Sequence, residues 1–327
     1  MKKKVSIIII LIIAAIVFLL AFTRSSIKKE TTTTQIDWPK KNINIVVGYT
    51  AGGDSDLNAR LVAKYLGPVL GTNVIVTNVN GSSGMVAAAE VADANPDGYR
   101  VYWGHGGVNV TQAYGGASVD MFKDFVISSA ILTDNAYTLC VAASTGIKNY
   151  NELKKYCVEK PESLVIVANA KSGNWYTVTG IEKAGGMKFK KIEAAGAIAD
   201  RIVRMLAGEQ QLIYSNYKQL SPYIENHTLN VIGTISEKRS KKYPALPTLT
   251  ELGCPVKSHY IFGFRFPKGT DKAIVAKFEN ALKKVSQDPK FIAEAEGYGV
   301  DVTYMTGQEY TAISQEIYDR AVKSLNK

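Results

Sequence analysis

The stretch that decides the fold is Val46-Val47-Gly48-Tyr49-Thr50-Ala51-Gly52-Gly53-Asp54-Ser55-Asp56-Leu57. An apolar strand leads into a pair of glycines, which are followed by serine and acidic residues of the kind that cap helices. Backbone N–H groups converge at the beginning of such a helix and can bind a carboxylate or a phosphate. Glycine lets a ligand approach the backbone closely because it has no side chain. The stretch therefore predicts a strand, a ligand-binding loop and a helix, in that order.

Short apolar runs alternate with helical stretches around this loop. The pattern predicts strands at 43–47, 73–78 and 99–104, and helices at 55–70 and 85–94. This βαβαβ succession is typical of doubly wound α/β proteins, in which helices cover both faces of a largely parallel sheet. The fold class predicted is therefore α/β.

A second alternation of strands and helices begins near Thr138 and includes a predicted loop over 169–175. A return strand is expected at 258–266, followed by helices that rejoin the first unit. A chain of this length can form two lobes, each with its own core, and two lobes enclose a cleft. We predict one lobe over 37–137 plus 260–327 and a second lobe over 138–259, with hinges near 136–141 and 260–266.

The N-terminal segment has the pattern of an export signal. Lys2 to Lys4 precede an unbroken apolar run from Val5 to Phe22, as in a signal peptide. The run is also about long enough to span a bilayer, so residues 1–22 are predicted to be a signal peptide or a membrane anchor. Residues 23–36 are expected to form a polar tether. The folded part is therefore predicted to be extracytoplasmic, either periplasmic or tethered to the outer face of the cytoplasmic membrane.

Charge and cysteine content argue against two classes of protein. The first thirty residues contain six of the 39 basic residues and one of the 29 acidic ones, which leaves 33 bases and 28 acids, a net +5. No dense basic block follows, so nucleic acid is not an expected partner. Cys140, Cys157 and Cys254 have neither CxxC spacing nor an even number, so they predict neither a disulfide framework nor a zinc site. We expect small buried side chains, with one bridged pair left open.

An ordered set of motifs resembles the Bug-type receptors, the extracytoplasmic solute-binding proteins of tripartite tricarboxylate transporters. The resemblance covers the chain after residue 36. The motifs that carry it are Trp38-Pro39, Ala51-Gly52-Gly53-x-x-Asp56, Ala59-Arg60, Gly81-x-x-Gly84, Asn95-Pro96-Asp97-Gly98-Tyr99, Leu206-Ala207-Gly208-Glu209 and Tyr243-Pro244-x-x-Pro247-Thr248. The resemblance implies a two-lobed, periplasmic-binding-protein-like fold of type II with the ligand held in a cleft between the lobes.

The resemblance also implies a ligand site built from loops of both lobes. The first loop is expected to anchor one ligand carboxylate, and four further segments are expected to line the cleft. The ligand-binding residues implied are Thr50, Ala51, Gly52, Gly53, Asp54, Ser55, Asp56, Gly104, His105, Asn169, Ser172, Gly173, Asn174, Trp175, Ala195, Gly196, Tyr214, Ser215 and Asn216. The chain departs from the family pattern at Ala51, at 194–196 and at His105, which leaves the identity of the ligand open.

The predicted function is binding of a small organic carboxylate and its delivery to membrane permease subunits by cleft closure, with a monomer as the binding unit. No catalytic residue, cofactor or metal site is predicted, because the chain lacks GxGxxG after a strand, GxxxxGK[ST], GxSxG and a metal-ligand cluster. Two alternatives stay open: a receptor that signals solute binding to a membrane partner, and an exported enzyme whose catalytic groups are distant in sequence.

Overall fold

The strands of this chain form two separate sheets in the computed structural model, which describes residues 36–193, 198–258 and 260–325. The strands are β1 Ile43–Val47, β2 Val74–Asn78, β3 Arg100–His105, β4 Phe125–Asp134, β5 Tyr137–Ala142, β6 Val165–Val167, β7 Lys190–Ile192, β8 Leu212–Asn216, β9 Leu229–Thr234, β10 Tyr260–Pro267 and β11 Asp301–Met305. The predictions for the signal peptide or anchor (1–22), most of the tether, Ala195 and Gly196 lie outside the described residues.

Helices cover these sheets. They are α1 Asp54–Leu70, α2 Met85–Ala92, α3 Gly107–Ala113, α4 Tyr150–Glu159, α5 Gly173–Gly185, α6 Ile198–Leu206, α7 Tyr217–Glu225, α8 Lys272–Val285, α9 Pro289–Tyr298 and α10 Gly307–Leu325. None of the helices in the described part of the chain is long and apolar enough to cross a bilayer.

The first sheet has six strands in the order β11-β4-β10-β3-β1-β2. Strand β1 pairs in parallel with both β2 and β3, so Ile45 lies opposite Val76 on one side and Val101 on the other. The return strand β10 runs antiparallel between β3 and β4. Because β1 and β3 are parallel, their carboxyl ends meet at one edge of the sheet, where crevices of α/β proteins bind ligands.

The second sheet has five strands in the order β7-β6-β8-β5-β9. Strand β6 pairs in parallel with β7 and β8, whereas β5 is antiparallel to β8 and β9. The predicted α/β class is confirmed by this mixed architecture. The three cysteines are free and buried, as the sequence indicates for small apolar side chains.

The chain crosses between the sheets twice. Strands β4 and β5 are consecutive in sequence but belong to different sheets, and the segment after β9 leads back to β10 in the first sheet. At the first crossing, the buried Asp134 carboxylate accepts hydrogen bonds from the Ala136 N–H at 2.8 Å and from Asn216 Nδ2 at 2.7 Å. This pair joins the end of a first-sheet strand to a second-sheet strand. The lobe boundaries and the hinge positions stay predictions.

The sequence predictions were wrong at two helix starts. The predicted loop over 169–175 ends early, because the Ser172 hydroxyl accepts the Trp175 N–H at 3.1 Å and starts α5 at Gly173. At α1, the expected serine or aspartate cap is absent, and Gly53 occupies the cap position without a side-chain hydrogen bond. Asp54 and Ser55 therefore stand inside the first turn of α1, where their side chains are available for other contacts.

Asp134 should make the stability of the protein depend on pH. Burial raises the pKa of its carboxyl from 3.8 to about 7 in the folded protein. A raised folded-state pKa favours the protonated form, so its stabilising contribution is complete below about pH 4 and is lost as the pH rises through 7. The free energy of unfolding should fall over this range by up to about 4 kcal/mol at 1.36 kcal/mol per pKa unit. Urea titrations from pH 4 to 8 measure it.

The variant Asp134→Asn removes this titration and is the comparison for that experiment. We expect its unfolding free energy to fall less between pH 4 and 7 than that of the unchanged protein. Equal pH slopes for the two proteins would show that the Asp134 carboxyl titrates normally in the folded state.

Candidate ligand-binding cleft

A cavity of about 240 Å³ is lined by residues from elements of both sheets. First-sheet elements supply the loops after β1, β2 and β3. Second-sheet elements supply the loop after β6, the start of α5, one residue of α6 and one of β8. The cavity therefore lies at the place where the sequence predicts the ligand site.

Nine of the predicted site residues line this cavity. They come from the first loop, the end of β3, the segment before and inside α5, and β8: Thr50, Asp54, Ser55, His105, Asn169, Ser172, Gly173, Asn174 and Tyr214. These side chains are brought together around one space, and their contact with a ligand stays a prediction.

Other predicted site residues do not line the cavity. Asn216 pairs with Asp134 at the crossing, Ser215 donates to Gln219 at 3.0 Å, and Trp175 stacks against the Lys191 ammonium 4.9 Å from its ring centre. The remaining ones are Ala51, Gly52, Gly53, Asp56 and Gly104. Their predicted contact with the ligand stays a prediction.

The glycine pair of the first loop is held by hydrogen bonds inside the loop. The Gly52 N–H donates to Asp56 Oδ2 at 2.9 Å, and the Gly53 N–H donates to the Thr50 carbonyl at 3.3 Å. Gly52 has φ = +77°, a left-handed conformation that glycine adopts without strain. The predicted use of these two N–H groups as ligand donors is therefore not what this conformation displays. The glycines shape the loop instead.

Asp56 is the centre of that internal network. Burial opposes ionisation of its carboxyl, but hydrogen bonds from Arg60, Gly52 and Asn78 outweigh this effect and lower its pKa. The Arg60 guanidinium lies 2.9 Å from Asp56 Oδ1, one helical turn away. Asp56 thus stabilises the loop in its ionised form.

His105 is part of an aromatic stack on the cavity wall. Its ring centre lies 5.2 Å from that of Tyr49 and 4.9 Å from that of Tyr260. Its Nδ1 accepts the Gly107 N–H at 3.1 Å, so the ring proton belongs on Nε2. Burial, together with the charge of Arg265, lowers the pKa of His105 to about 4. His105 is therefore a neutral imidazole at physiological pH.

Tyrosines of the two crossing strands extend this wall. The rings of Tyr137 and Tyr260 are stacked with centres 3.7 Å apart, and Tyr214 meets Tyr137 edge-on at 5.3 Å. The Tyr260 hydroxyl also donates to the Tyr214 hydroxyl at 3.4 Å. Burial raises the pKa of Tyr214 to about 12, so its hydroxyl stays neutral. Sequence reasoning missed Tyr137 and Tyr260, because β5 and β10 belong to different sheets and only the folded chain brings the two rings together.

The loop after β2 is a second missed contributor. Ser82 and Ser83 line the cavity with φ values of 45° and 55°, a left-handed conformation that is uncommon for residues with a side chain. The Tyr49 hydroxyl donates to the Ser83 carbonyl at 3.3 Å and ties this loop to the first one. Such strain persists where the surrounding structure fixes it, and it clusters at binding sites.

Arg201 is the one basic residue among the described residues that line the cavity. It lies on α6, whose buried residues Ile198, Ile202 and Met205 pack into the second-sheet core. Burial raises the pKa of Asp54, and the Arg201 charge opposes part of that rise. None of the ion pairs between described residues involves Arg201. A guanidinium in this position can bind a carboxylate through two parallel hydrogen bonds.

The described part of the chain contains no group of three or more His, Cys, Asp or Glu side chains placed to hold a metal ion. The cavity instead presents one guanidinium, one carboxylate, a neutral imidazole, and hydroxyl and amide groups. This polar, mostly uncharged lining suits a small polar solute that is held by hydrogen bonds.

The chain has two sheets covered by helices, two crossings between them, and a polar cavity lined from both sheets. This is the architecture of a solute-binding protein of the periplasmic type. The family model described as "Tripartite tricarboxylate transporter family receptor" (TctC) matches residues 58–327, and the chain belongs to this family. The resemblance to Bug-type receptors is thereby confirmed.

A curated relative and a solved structure support this assignment. A curated relative from Cupriavidus necator, "UPF0065 protein in gbd 5'region", is 29% identical over 282 residues, which is 85% of each chain. The solved structure of periplasmic binding protein BugD superposes with a TM-score of 0.79 at 25% identity, over 88% of this chain and 98% of BugD.

Two solved structures from Rhodopseudomonas palustris share the fold. One, solved with adipate, has a TM-score of 0.79 at 24% identity and covers 88% of this chain and 97% of its own. The other, MatC with bound malate, has a TM-score of 0.80 at 20% identity and covers 88% of this chain and 99% of its own. Both ligands are small dicarboxylates.

Proposed function

We propose that this chain binds a small organic acid in the cavity between its sheets and delivers it to membrane subunits of a tripartite transporter. The observation that carries the proposal is Arg201, an arginine without an ion pair among the described residues in a cavity lined from both sheets. Its guanidinium gives the cavity a site for a carboxylate. The family assignment and the adipate and malate ligands of the two structural relatives support the same class of solute.

The size of the cavity also fits a small solute. Its volume of about 240 Å³ corresponds to roughly eight molecules of liquid water at ~30 Å³ each. A mono- or dicarboxylic acid of a few carbon atoms displaces about that much water.

The binding unit is proposed to be a monomer that acts outside the cytoplasm, either free or tethered by its N-terminal segment. Its partners are proposed to be the permease subunits of the transporter, and no cofactor, nucleic acid or catalytic step is part of this account. Binding and release of an unchanged solute require only that the walls hold it and then separate.

Ligand binding should close the cavity. The first-sheet loops and Arg201 of the second sheet can hold one small acid firmly only when they approach each other, and a ligand favours the state in which it makes more contacts. We expect the radius of gyration from small-angle X-ray scattering to decrease when a saturating acid is added. An unchanged radius at saturation would contradict closure while leaving binding itself intact.

Isothermal titration calorimetry with a panel of small organic acids tests the proposed function directly. At least one acid should bind with one-to-one stoichiometry, and it should raise the unfolding temperature, because ligation of the native state stabilises it by mass action. A panel without binding to the folded protein would contradict the proposal.

A further inference from the structure

We propose that Arg265, a buried arginine outside the cavity lining, strengthens the binding of an anionic solute through its electric field. The residue packs against helix α3 behind the cavity wall, and a bound carboxylate supplies the negative charge that its surroundings lack. This inference rests on the proposed function and adds to it a determinant of affinity that does not touch the solute.

Arg265 is buried without a carboxylate partner. Its side chain is 0% exposed in strand β10, and none of the ion pairs between described residues includes it. Arginine stays charged in proteins, and a desolvated charge is costly unless an opposite charge lies nearby. The positive charge of Arg265 is therefore unpaired within the described ranges of the chain.

Neutral groups hold the guanidinium in place. Its Nη2 donates to Asn109 Oδ1 at 3.2 Å and to the Ser314 hydroxyl at 3.4 Å. Its Nη1 donates to the Tyr310 hydroxyl at 3.4 Å, and its central carbon lies 5.2 Å from the centre of the Tyr310 ring. The Arg265 Nε is buried and makes no hydrogen bond to a described residue. These contacts fix the position of the charge without neutralising it.

The guanidinium extends toward the end of β10 that borders the cavity. Gly263 leaves room there for the Tyr310 ring, because an added Cβ would lie 2.5 Å from Tyr310 Cε1. The Tyr310 hydroxyl, which accepts from Arg265, in turn donates to the Ile261 carbonyl at 3.5 Å. The next residue toward the start of the strand is Tyr260, which lines the cavity. The charge is thus held near this edge of the first sheet.

Helix α3 links the charge to the cavity. Gly107 and Thr111 of this helix line the cavity, and Asn109 between them accepts the hydrogen bond from Arg265. His105, another residue of the cavity lining, senses the charge, because burial and then the Arg265 charge lower its pKa. Salt screens a buried charge only weakly. An anion in the cavity is therefore attracted by Arg265 without contact.

Calorimetry on full-length variants tests this inference. The probes are acetate, propionate, succinate, malate and adipate, and the probe that binds the unchanged protein most tightly is used for the comparison. Arg265→Gln removes the charge but keeps an amide that can donate hydrogen bonds, whereas Arg265→Met removes both. Each variant should bind this probe at least about fivefold more weakly, the order of effect of a unit charge one packing layer away in a protein interior.

The matched control is Lys64→Met, which removes one positive charge elsewhere. Lys64 is exposed, pairs with Glu294 at 2.7 Å and lies outside the cavity lining. Its loss should change the affinity less than about twofold, because solvent screens an exposed charge.

Histidine titration by NMR gives a second readout, which needs no ligand. The pKa of His105 should rise in Arg265→Gln and in Arg265→Met, because a positive charge near the imidazole is removed. It should stay unchanged in Lys64→Met. A structural role of Arg265 alone would weaken binding without this shift.

An affinity equal to that of the unchanged protein in both neutral variants would overturn the inference and leave the proposed function standing. Weaker binding with an unchanged His105 titration would also overturn it. Absence of binding by every probe to the unchanged protein would contradict the proposed function as well. If Arg265→Gln does not fold, Arg265→Met still decides the question, since buried charges are often replaced by apolar side chains of similar size without loss of stability.

Discussion

Replacing Arg201 with methionine should lower the affinity for the best-binding acid by at least about thirtyfold. Loss of one partner of a desolvated, hydrogen-bonded charge pair costs about 2 kcal/mol or more, and 1.4 kcal/mol is a factor of ten in affinity. The effect should appear mainly as faster dissociation, because the lost contact is made in the bound state. Calorimetry gives the affinity, and stopped-flow fluorescence gives the rate.

The matched control is Arg204→Met, on the same helix α6. Arg204 pairs with the exposed Glu209 at 3.1 Å and does not line the cavity, so its loss should change affinity less than about twofold. Arg201→Lys keeps the charge but loses the bidentate geometry, and it should give an intermediate affinity. Equal affinities for Arg201→Met and Arg204→Met would remove Arg201 from the site.

Replacing Gly48 with alanine should destabilise the protein by about 1–3 kcal/mol, the usual cost of overpacking a buried position. Gly48 is buried at the end of β1, and an added Cβ would lie 2.5 Å from the Cα of Gly84. Gly84 is itself buried, and the Tyr102 hydroxyl donates to its carbonyl at 3.4 Å. The two loops that line the cavity would be forced apart, so affinity should fall as well. Urea unfolding measures the loss.

Gly297→Ala is also a glycine-to-alanine substitution, but it should stabilise the protein. Gly297 lies exposed in α9, and nothing stands within 4 Å of an added Cβ. Alanine should stabilise this helix by up to about 1 kcal/mol. A Gly48→Ala variant as stable as the unchanged protein would contradict the close approach of the loops after β1 and β2.

The sequence predicted most of the first unit because its elements are local. The bounds predicted for β1, α1, β2 and β3 agree with the structure to within one residue, since each has a clear apolar pattern and a turn on either side. Strand β4 was missed because it contains Ser128, Ser129 and Asp134, whose burial depends on its neighbours in the sheet. Polar residues in a central strand break the alternation that sequence analysis relies on.

The candidate site was predictable only in part. The first loop and the segment that leads into α5 carry glycine and serine signals that indicate binding loops, and seven of the residues they implied line the cavity. Arg201 carries no such signal, because a single basic residue on an amphipathic helix usually faces solvent. The N–H groups of Gly52 and Gly53 were predicted as ligand donors from the loop pattern. The sequence does not reveal that Asp56 and the Thr50 carbonyl accept those N–H groups.

A crystal structure of the complex with the tightest-binding acid tests the central claim most directly. We expect the acid in the cavity between the two sheets, with its carboxylate within about 3 Å of the Arg201 guanidinium. An acid bound elsewhere on the protein, or bound in the cavity without contact to Arg201, would contradict this account.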